Sequence, residues 1–267
     1  MPNHHRLDSH LFQSLDSVST LPPADSPVPT DAAAEFKVLR KELVKLQRVL
    51  YAQHSDSLLV VFQALDAGGK DGAIRKVFKG VNPQGVRVAS FKRPTKLELD
   101  HDFLWRVQAH SPARGMISIF NRSHYEDVIA TRVRKIIDVD VCKDRYDQIN
   151  NFEHALNQHG TTILKFYLHI SKDEQKRRFQ ERLSNPTKHW KFSAADLETR
   201  KQWSLYMAAY GDALKNCHRE LSPWHIIPSD DKSYRNLVIA RVIVQTLKKM
   251  RPQFPAPESG LQHITID

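Results

Sequence analysis

The chain is poor in cysteine, has no apolar run of membrane-spanning length, and carries fewer acidic than basic residues. Its two cysteines, Cys142 and Cys217, lie far apart and in no metal-ligating spacing. That excludes a disulfide framework and a zinc module, and both thiols are expected to be buried or incidental in a reducing compartment. The N-terminal MPNHHRLDSHLFQ has no signal-peptide apolar core, so a cytoplasmic protein with no membrane partner is the expectation. Lys and Arg total 40 against 30 for Asp and Glu, a formal charge of +10. Such a balance calls for an anionic partner, whether nucleic acid, a nucleotide or another polyphosphate, and charge alone does not choose among them. At 267 residues and 40% hydrophobic content, one substantial α/β core can be buried without covalent staples.

What is present is a strand, a turn and a helix arranged to hold phosphate. In LLVVFQALDAGGKDG (58–72) an apolar run passes through Asp66, Gly68, Gly69 and Lys70 into a helix starting near Asp71. A P-loop reads GxxxxGK followed by Ser or Thr, its backbone N–H groups and helix N-terminus cradling phosphate oxygens. Here Ala64 stands at the first Gly position and Asp71 replaces the hydroxyl residue, while Gly69 and Lys70 fit. The bland alternative is a plain strand-to-helix turn with a solvated Lys.

Short apolar strands then alternate with helices. VRVASF, MISIF (ending at Asn121), TTILKFYLHI and WHIIPSD are the further strands; helices are expected over 123–137, 149–158 and 232–250, with another in SKDEQKRRFQERL and one through Leu104 and Val107. This pattern predicts a parallel five-stranded sheet covered on both faces, a three-layer α/β/α sandwich with the ligand-binding loops at one sheet edge. Asp31 is placed to cap a helix whose stripe Phe36, Leu39, Leu43, Leu46 and Leu50 docks on the sheet or, alternatively, on another subunit. Residues 1–30, rich in Ser, Pro and Asp, read as a mobile arm or strap, and 251–267 as a surface tail. The domain proper is 31–250. One segment, 185–217, interrupts the alternation; it reads as an inserted helical lid, starting a helix at Ser193 and Asp196, or as an extra packed hairpin.

Phosphoryl transfer needs oxygens neutralised and aligned, by a Lys, an Arg and Mg2+ held by carboxylates. Lys70 supplies the first charge. Asp66 and Asp71 bracket it and would repel a phosphate unless a metal lies between, so they are the candidate Mg2+ ligands, with Asp66 also placed to orient the attacking oxygen. For Asp71 the alternative is a favourable acid in a first helical turn. In FNRSHYEDV, Asn121 occupies the place of the expected Asp, Arg122 puts a guanidinium at the same sheet edge, and Glu126 and Asp127 follow one turn later. Ser123 and Glu126 also have capping-box spacing. Arg178 has Glu174 four residues before it and is open to being only a surface pair; Arg182 has no such partner, and with Lys188 and Lys191 it extends a basic track suited to a long polyanion.

ALDAGGKDG, FKRPTKLELDHDFLWRV, PARG with IFNRSHYEDV, LHISKDEQKRRFQERL, KHWKFSAADLETRKQW and YMAAY together resemble the polyphosphate kinase 2 family, in unbroken order over 33–250. The resemblance implies a P-loop kinase fold like that of thymidylate kinase, with a helical lid. The implied activity moves a terminal phosphate between inorganic polyphosphate and adenine or guanine nucleotides with Mg2+, for which Mn2+ can substitute. HYED resembles the subgroup acting on both nucleoside mono- and diphosphates. By this resemblance Asp66, Lys70 and Asp71 match the phosphate loop, Arg122 the second motif and Arg182 the polyphosphate channel. The candidate catalytic set is Asp66, Lys70, Arg122 and Asp127. Gly68, Gly69, Gly72, Lys92, Arg93 and Glu126 join Lys70 in holding nucleotide and phosphate; Arg122, Arg178, Arg182, Lys188 and Lys191 hold polymer. A dimer or tetramer is expected, with no nucleic-acid partner. Departures are Ser222 before Pro223 and Trp224, where Ala is expected and the lid hinge stands to change, and Gly68 where many relatives carry Ala. Two other readings stay open: an ATP-dependent nucleoside or nucleotide kinase, and a basic nucleic-acid-binding module stacking bases on Trp190, Trp203 and Tyr206.

Overall fold

Every residue of SLLVVFQ, which forms β1 (Ser57–Gln63), is buried. Leu59 and Val61 enter one apolar layer, Leu58, Val60 and Phe62 the other. A strand apolar on both faces belongs in the middle of a covered parallel sheet. The computed structural model, which describes residues 5–24, 28–260, 264 and 266, places it there. With β2 (Val86–Ser90), β3 (Ile117–Asn121), β4 (Thr161–His169) and β5 (Trp224–Pro228), the order is β2-β3-β1-β4-β5 and every pairing is parallel. The strand order reverses around β1, so the crevice beyond its C-terminal end is the place for a ligand.

One face is covered by α1 (Ala32–Gln53), α2 (Lys70–Val77) and α10 (Lys232–Met250). The stripe of α1 is settled inside the chain: Leu43 and Leu50 are fully buried, Phe36, Leu39 and Leu46 pack on the same cluster, and α10 is the main partner. Asp31 sits at the cap position but its carboxylate makes no capping bond. Beyond β2 come two short helices, α3 (Lys96–Leu99), closed by a Thr95–Glu98 capping box, and α4 (Trp105–Gln108). The other face is covered by α5 (Glu126–Val133), α6 (Val139–Gln158) and α9 (Trp203–Asn216); α7 (Lys172–Ser184) and α8 (Ala194–Lys201) lie between. The result is the three-layer α/β/α sandwich the alternation predicts.

Three expectations change. Helix α6 begins ten residues earlier than 149, because Asp138 accepts from the Val141 N–H at 3.0 Å and Cys142 and Tyr146 carry the buried stripe back from Ile149. Helix α5 is shorter than 123–137, and the capping box at Ser123 does not form. Ser123 Oγ bonds instead to the Gln63 amide and the Tyr125 N–H. The 185–217 insertion divides: 186–201 overhangs the sheet edge as a 3-10 turn and α8, whereas α9 buries Tyr206, Met207, Tyr210 and Leu214 in the core. Only the first part borders the cleft, since the apolar stripe of α9 has to be covered.

The arm read at 1–30 makes the contacts of a strap. Arg6 forms an antiparallel bridge to His225 on β5, Leu7 and Leu15 are buried, and Thr20 Oγ1 donates to Asp230 at 2.8 Å. Residues 1–4 and 25–27 of that arm lie outside the described residues. Among the described residues no helix is long and apolar enough to cross a membrane.

Candidate active site

The loop from Ala64 to Gly69 joins β1 to α2 at the sheet edge. Gly69 has φ +99 and an added Cβ there would fall 2.2 Å from Arg235 Nη1, so only glycine fits. Gly68 is equally confined: a Cβ would sit 2.5 Å from that of Ala64 and 2.8 Å from Leu65 O. The alanine that the resemblance led us to expect has no room in this loop. The first turn of α2 presents N–H groups that have no intrahelical acceptor, a natural seat for an anion.

Lys70 is buried at 8% exposure and donates to Ala64 O at 2.8 Å, the loop carbonyl behind it. Burial, helped by Arg122, pushes its ammonium down to about 8. Arg122 closes β3 with a left-handed φ of 63°, a conformation costing a non-glycine residue roughly 1–2 kcal/mol. Its Nη2 donates to Asp66 Oδ1 at 2.9 Å, and although burial works against its charge, Glu126 and Asp66 outweigh this and raise its pKa. Burial pushes the Glu126 carboxyl up, against the pull of Arg122 and Lys70. Asn121 Nδ2 donates to Asp71 Oδ1 at 2.7 Å. The residue standing where an Asp was expected thus holds the acid standing where a hydroxyl was expected.

All of these side chains except that of Glu126, which lies outside the lining, border a cleft of about 910 Å³ bounded by the loop, by Lys92, Asn121 and Arg122 on the β3 side, and by Arg178, Arg182 and Arg235 on the β4 and β5 side. Gly68, Gly69, Gly72, Asp66 and Asp71 line it too, as do Lys188 and Lys191 from the overhang.

Four candidates are placed differently from expectation. Asp127 turns away from the cleft: buried, it accepts from Arg106 Nη2 at 3.0 Å, while Arg106 Nη1 donates to Lys92 O at 2.9 Å. Through Arg106 it is linked to the Lys92 backbone, and it is not among the residues lining the cleft. Arg93 is exposed and outside the cleft lining. Arg178 is no surface pair; it is 6% exposed and spends all three nitrogens on Glu174 (2.6 Å), Ala67 O (2.9 Å) and Ser229 O (2.5 Å), which makes it a clamp on the loop. Arg182 does have a partner, since Nη1 donates to Lys191 O at 2.9 Å and reaches Asp196 at 3.4 Å, tying the overhang to α7. Lys188 pairs with Glu181.

Sequence reading missed Arg235, Asn236 and Lys232 of α10 and Arg75 and Lys76 of α2, all of which line the cleft. The signal available was their position within the first two turns of helices that follow strands. The aromatic set separates: Tyr206 is buried and Trp203 packs against the core, while Trp190 stays 78% exposed over the cleft. Two of the three rings offered for base stacking are therefore spent on packing.

Among the described residues no group of three or more His, Cys, Asp or Glu side chains forms a metal cage. Asp66 and Asp71 nonetheless fit Mg2+, which takes one or two carboxylates and completes its shell with water and substrate phosphate.

The sequence model of the family described as polyphosphate kinase 2 matches residues 29–255. The chain is 51% identical over 236 residues to an AMP/ADP-polyphosphate phosphotransferase of Meiothermus ruber, covering 88% of each. It is 45% identical over 227 residues to an ADP-polyphosphate phosphotransferase of Rhodopseudomonas palustris, covering 80% of this chain and 78% of that one. A crystal structure of a polyphosphate kinase 2 from Arthrobacter aurescens superposes with a TM-score of 0.93 at 36% identity, covering 97% of this chain and 93% of the other.

Proposed function

The chain belongs to the polyphosphate kinase 2 family, and on that premise we propose that it moves the terminal phosphate of inorganic polyphosphate to AMP and ADP. Beside the relatives, the observation that carries this reading is the wall of the cleft on the β4 and β5 side. Arg178, Arg182, Lys188, Lys191, Lys232 and Arg235 line it, against the two carboxylates Glu181 and Asp196, with Trp190 of the overhang at its rim. Such an excess of cations along one wall suits a donor that is phosphate throughout.

In this reading the transferring phosphate sits on the first turn of α2, between Lys70 and Arg122. An oxygen of the acceptor's phosphate attacks the terminal phosphorus, the bond from phosphorus to the bridging oxygen breaks, and the shortened polymer leaves with the electron pair. The attacking oxygen is already anionic near neutral pH, because the second pKa of a phosphate monoester is about 6. No general base is required, and positioning with charge stabilisation suffices. Lys70, held close to losing its proton by burial, regains its full charge when phosphate arrives. Asp66, fixed by Arg122, aligns the attacking oxygen. Asp71 and Asp66 would hold Mg2+, or Mn2+ in its place, which supplies neutralisation of the phosphate oxygens. Arg178 and Asp127 act as positioning residues, through the loop and through Lys92.

Guanine nucleotides as acceptors, reversibility and a cytoplasmic setting belong to the same proposal. So does assembly into a dimer or tetramer, which the exposed Leu97 and Leu99 of α3 support. The test is product identity when the protein, Mg2+ and polyphosphate are incubated with AMP, ADP, GMP and GDP in parallel, without ATP. Formation of ADP and ATP is expected. No product without added ATP would overturn the reading in favour of an ordinary nucleotide kinase.

A further inference from the structure

Arg235 is an arginine at 3% exposure whose charge the protein leaves unanswered. Its Nε and Nη2 donate to one neutral acceptor, Asn236 Oδ1, at 3.2 and 2.9 Å, and among the described residues it forms no ion pair. Asp231 attracts it without forming an ion pair, and at the loop it meets another cation. The Cβ position of Gly69 lies 2.2 Å from Arg235 Nη1 and 3.3 Å from Arg178 Nη1, so two guanidinium groups converge on the entrance to α2. Arg178 is fully engaged by Glu174 and two carbonyls. Burial, with Arg178 adding to it, pushes the Arg235 guanidinium down to about 10. A buried, uncompensated charge destabilises a fold, and an anion bound beside it removes that cost.

The topology says which anion. Arg122 and Lys92 approach the loop from β3 and β2; Arg235 approaches from β5, across β1 and β4. In the functional reading above the donor lies along the β4 and β5 wall, so a group at Arg235 lies on the donor's side. We propose that Arg235 is a phosphate-binding residue of the donor side, whose guanidinium receives a polyphosphate unit inward of the one transferred, so that the chain leaves the loop between α2 and α10. The proposal rests on the polyphosphate reading above. It makes Arg235 a residue that favours a bare phosphate run over a nucleoside triphosphate.

The experiment compares wild type with Arg235→Met. A charge-assisted hydrogen bond of about 1.5–3 kcal/mol predicts that KM for polyphosphate rises about 10- to 100-fold, with KM for ADP within about twofold of wild type. The ligand-free melting temperature should not fall, because an unanswered buried charge has been removed. The upward shift given by tripolyphosphate should shrink. An unchanged KM for polyphosphate overturns the proposal, as does a lowered ligand-free melting temperature with both KM values moving together, the mark of a structural role. If the Met variant does not fold, Arg235→Gln carries the same expectations and the same refutation. Wild-type protein that transfers nothing from polyphosphate overturns the functional reading alone, and the tripolyphosphate shift in wild type against variant still judges Arg235.

Discussion

Lys165 and Lys70 both lie beneath the surface, at 0% and 8% exposure, on or just after strands of the same sheet. Around Lys165 every donor is used: Nζ reaches Glu153 at 2.6 Å, Cys217 O at 2.6 Å and Tyr125 OH at 3.0 Å, between the rings of Tyr125 and Trp224. Burial alone would push the Glu153 carboxyl up, but Lys165 and His124 hold it down at about 2. Around Lys70 there is one carbonyl, a repelling Arg122, and an open cleft. Arg178 and Arg235 repeat the contrast a few ångströms apart. Where the protein completes the shell of a buried cation, the cation ties elements together; where it leaves the shell incomplete, the proposed function assigns the remaining place to phosphate.

The largest expected effect breaks the compensated side. Lys165→Met leaves Glu153 buried without its lysine partner, with only Tyr125 and His124 beside it, and should cost about 3–5 kcal/mol in urea unfolding, with turnover per folded molecule retained. Adding Glu153→Leu should recover most of that loss; if it does not, the pair is more than self-compensating. On the other side, Lys70→Met should reduce kcat by about 10²- to 10³-fold without lowering the ligand-free melting temperature. Asp127→Asn probes a group between the two: weakening its bond to Arg106 should cost about 1–3 kcal/mol of stability and raise KM for the nucleotide through Lys92. If only stability moves, Asp127 positions nothing.

Smallest and sharpest is the pH dependence. Lys70 has its pKa pushed down to about 8, so its charge is complete below that pH and lost above it. In free protein kcat/KM for polyphosphate should fall about tenfold per unit above pH 8. Glu153, held at about 2, has the opposite sign: its contribution to stability is present above the ordinary glutamate range and is lost as pH falls from there toward 2. Glu153→Gln should flatten that acid limb and leave the alkaline fall in kcat/KM unchanged.

The sheet was legible because its strands announce themselves: SLLVVFQ and TILKFYL are apolar runs ended by polar turns. Lys165, inside the second of these, gave no sign of its role, since nothing in TILKFYL says that Glu153 lies across from it. The loop and Arg122 were legible from local spacing, which is how a phosphate loop is built. Arg235 was not, because its meaning arises from β5 delivering α10 to the side of Gly69, a juxtaposition made by topology alone. Arg178 and Arg182 were misjudged for the same reason. A helical spacing of four names Glu174 as a partner, but only the fold adds Ala67, Ser229 and Asp196.

The most direct test of this division between compensated and waiting charge is a polyphosphate titration of the melting temperature, in Mg2+, for wild type and Lys70→Met. The expected result is a ligand-free variant at least as stable as wild type, and an upward shift with polyphosphate that is large in wild type and mostly absent in the variant. A variant that starts lower than wild type, or that gains the same shift, would contradict the account.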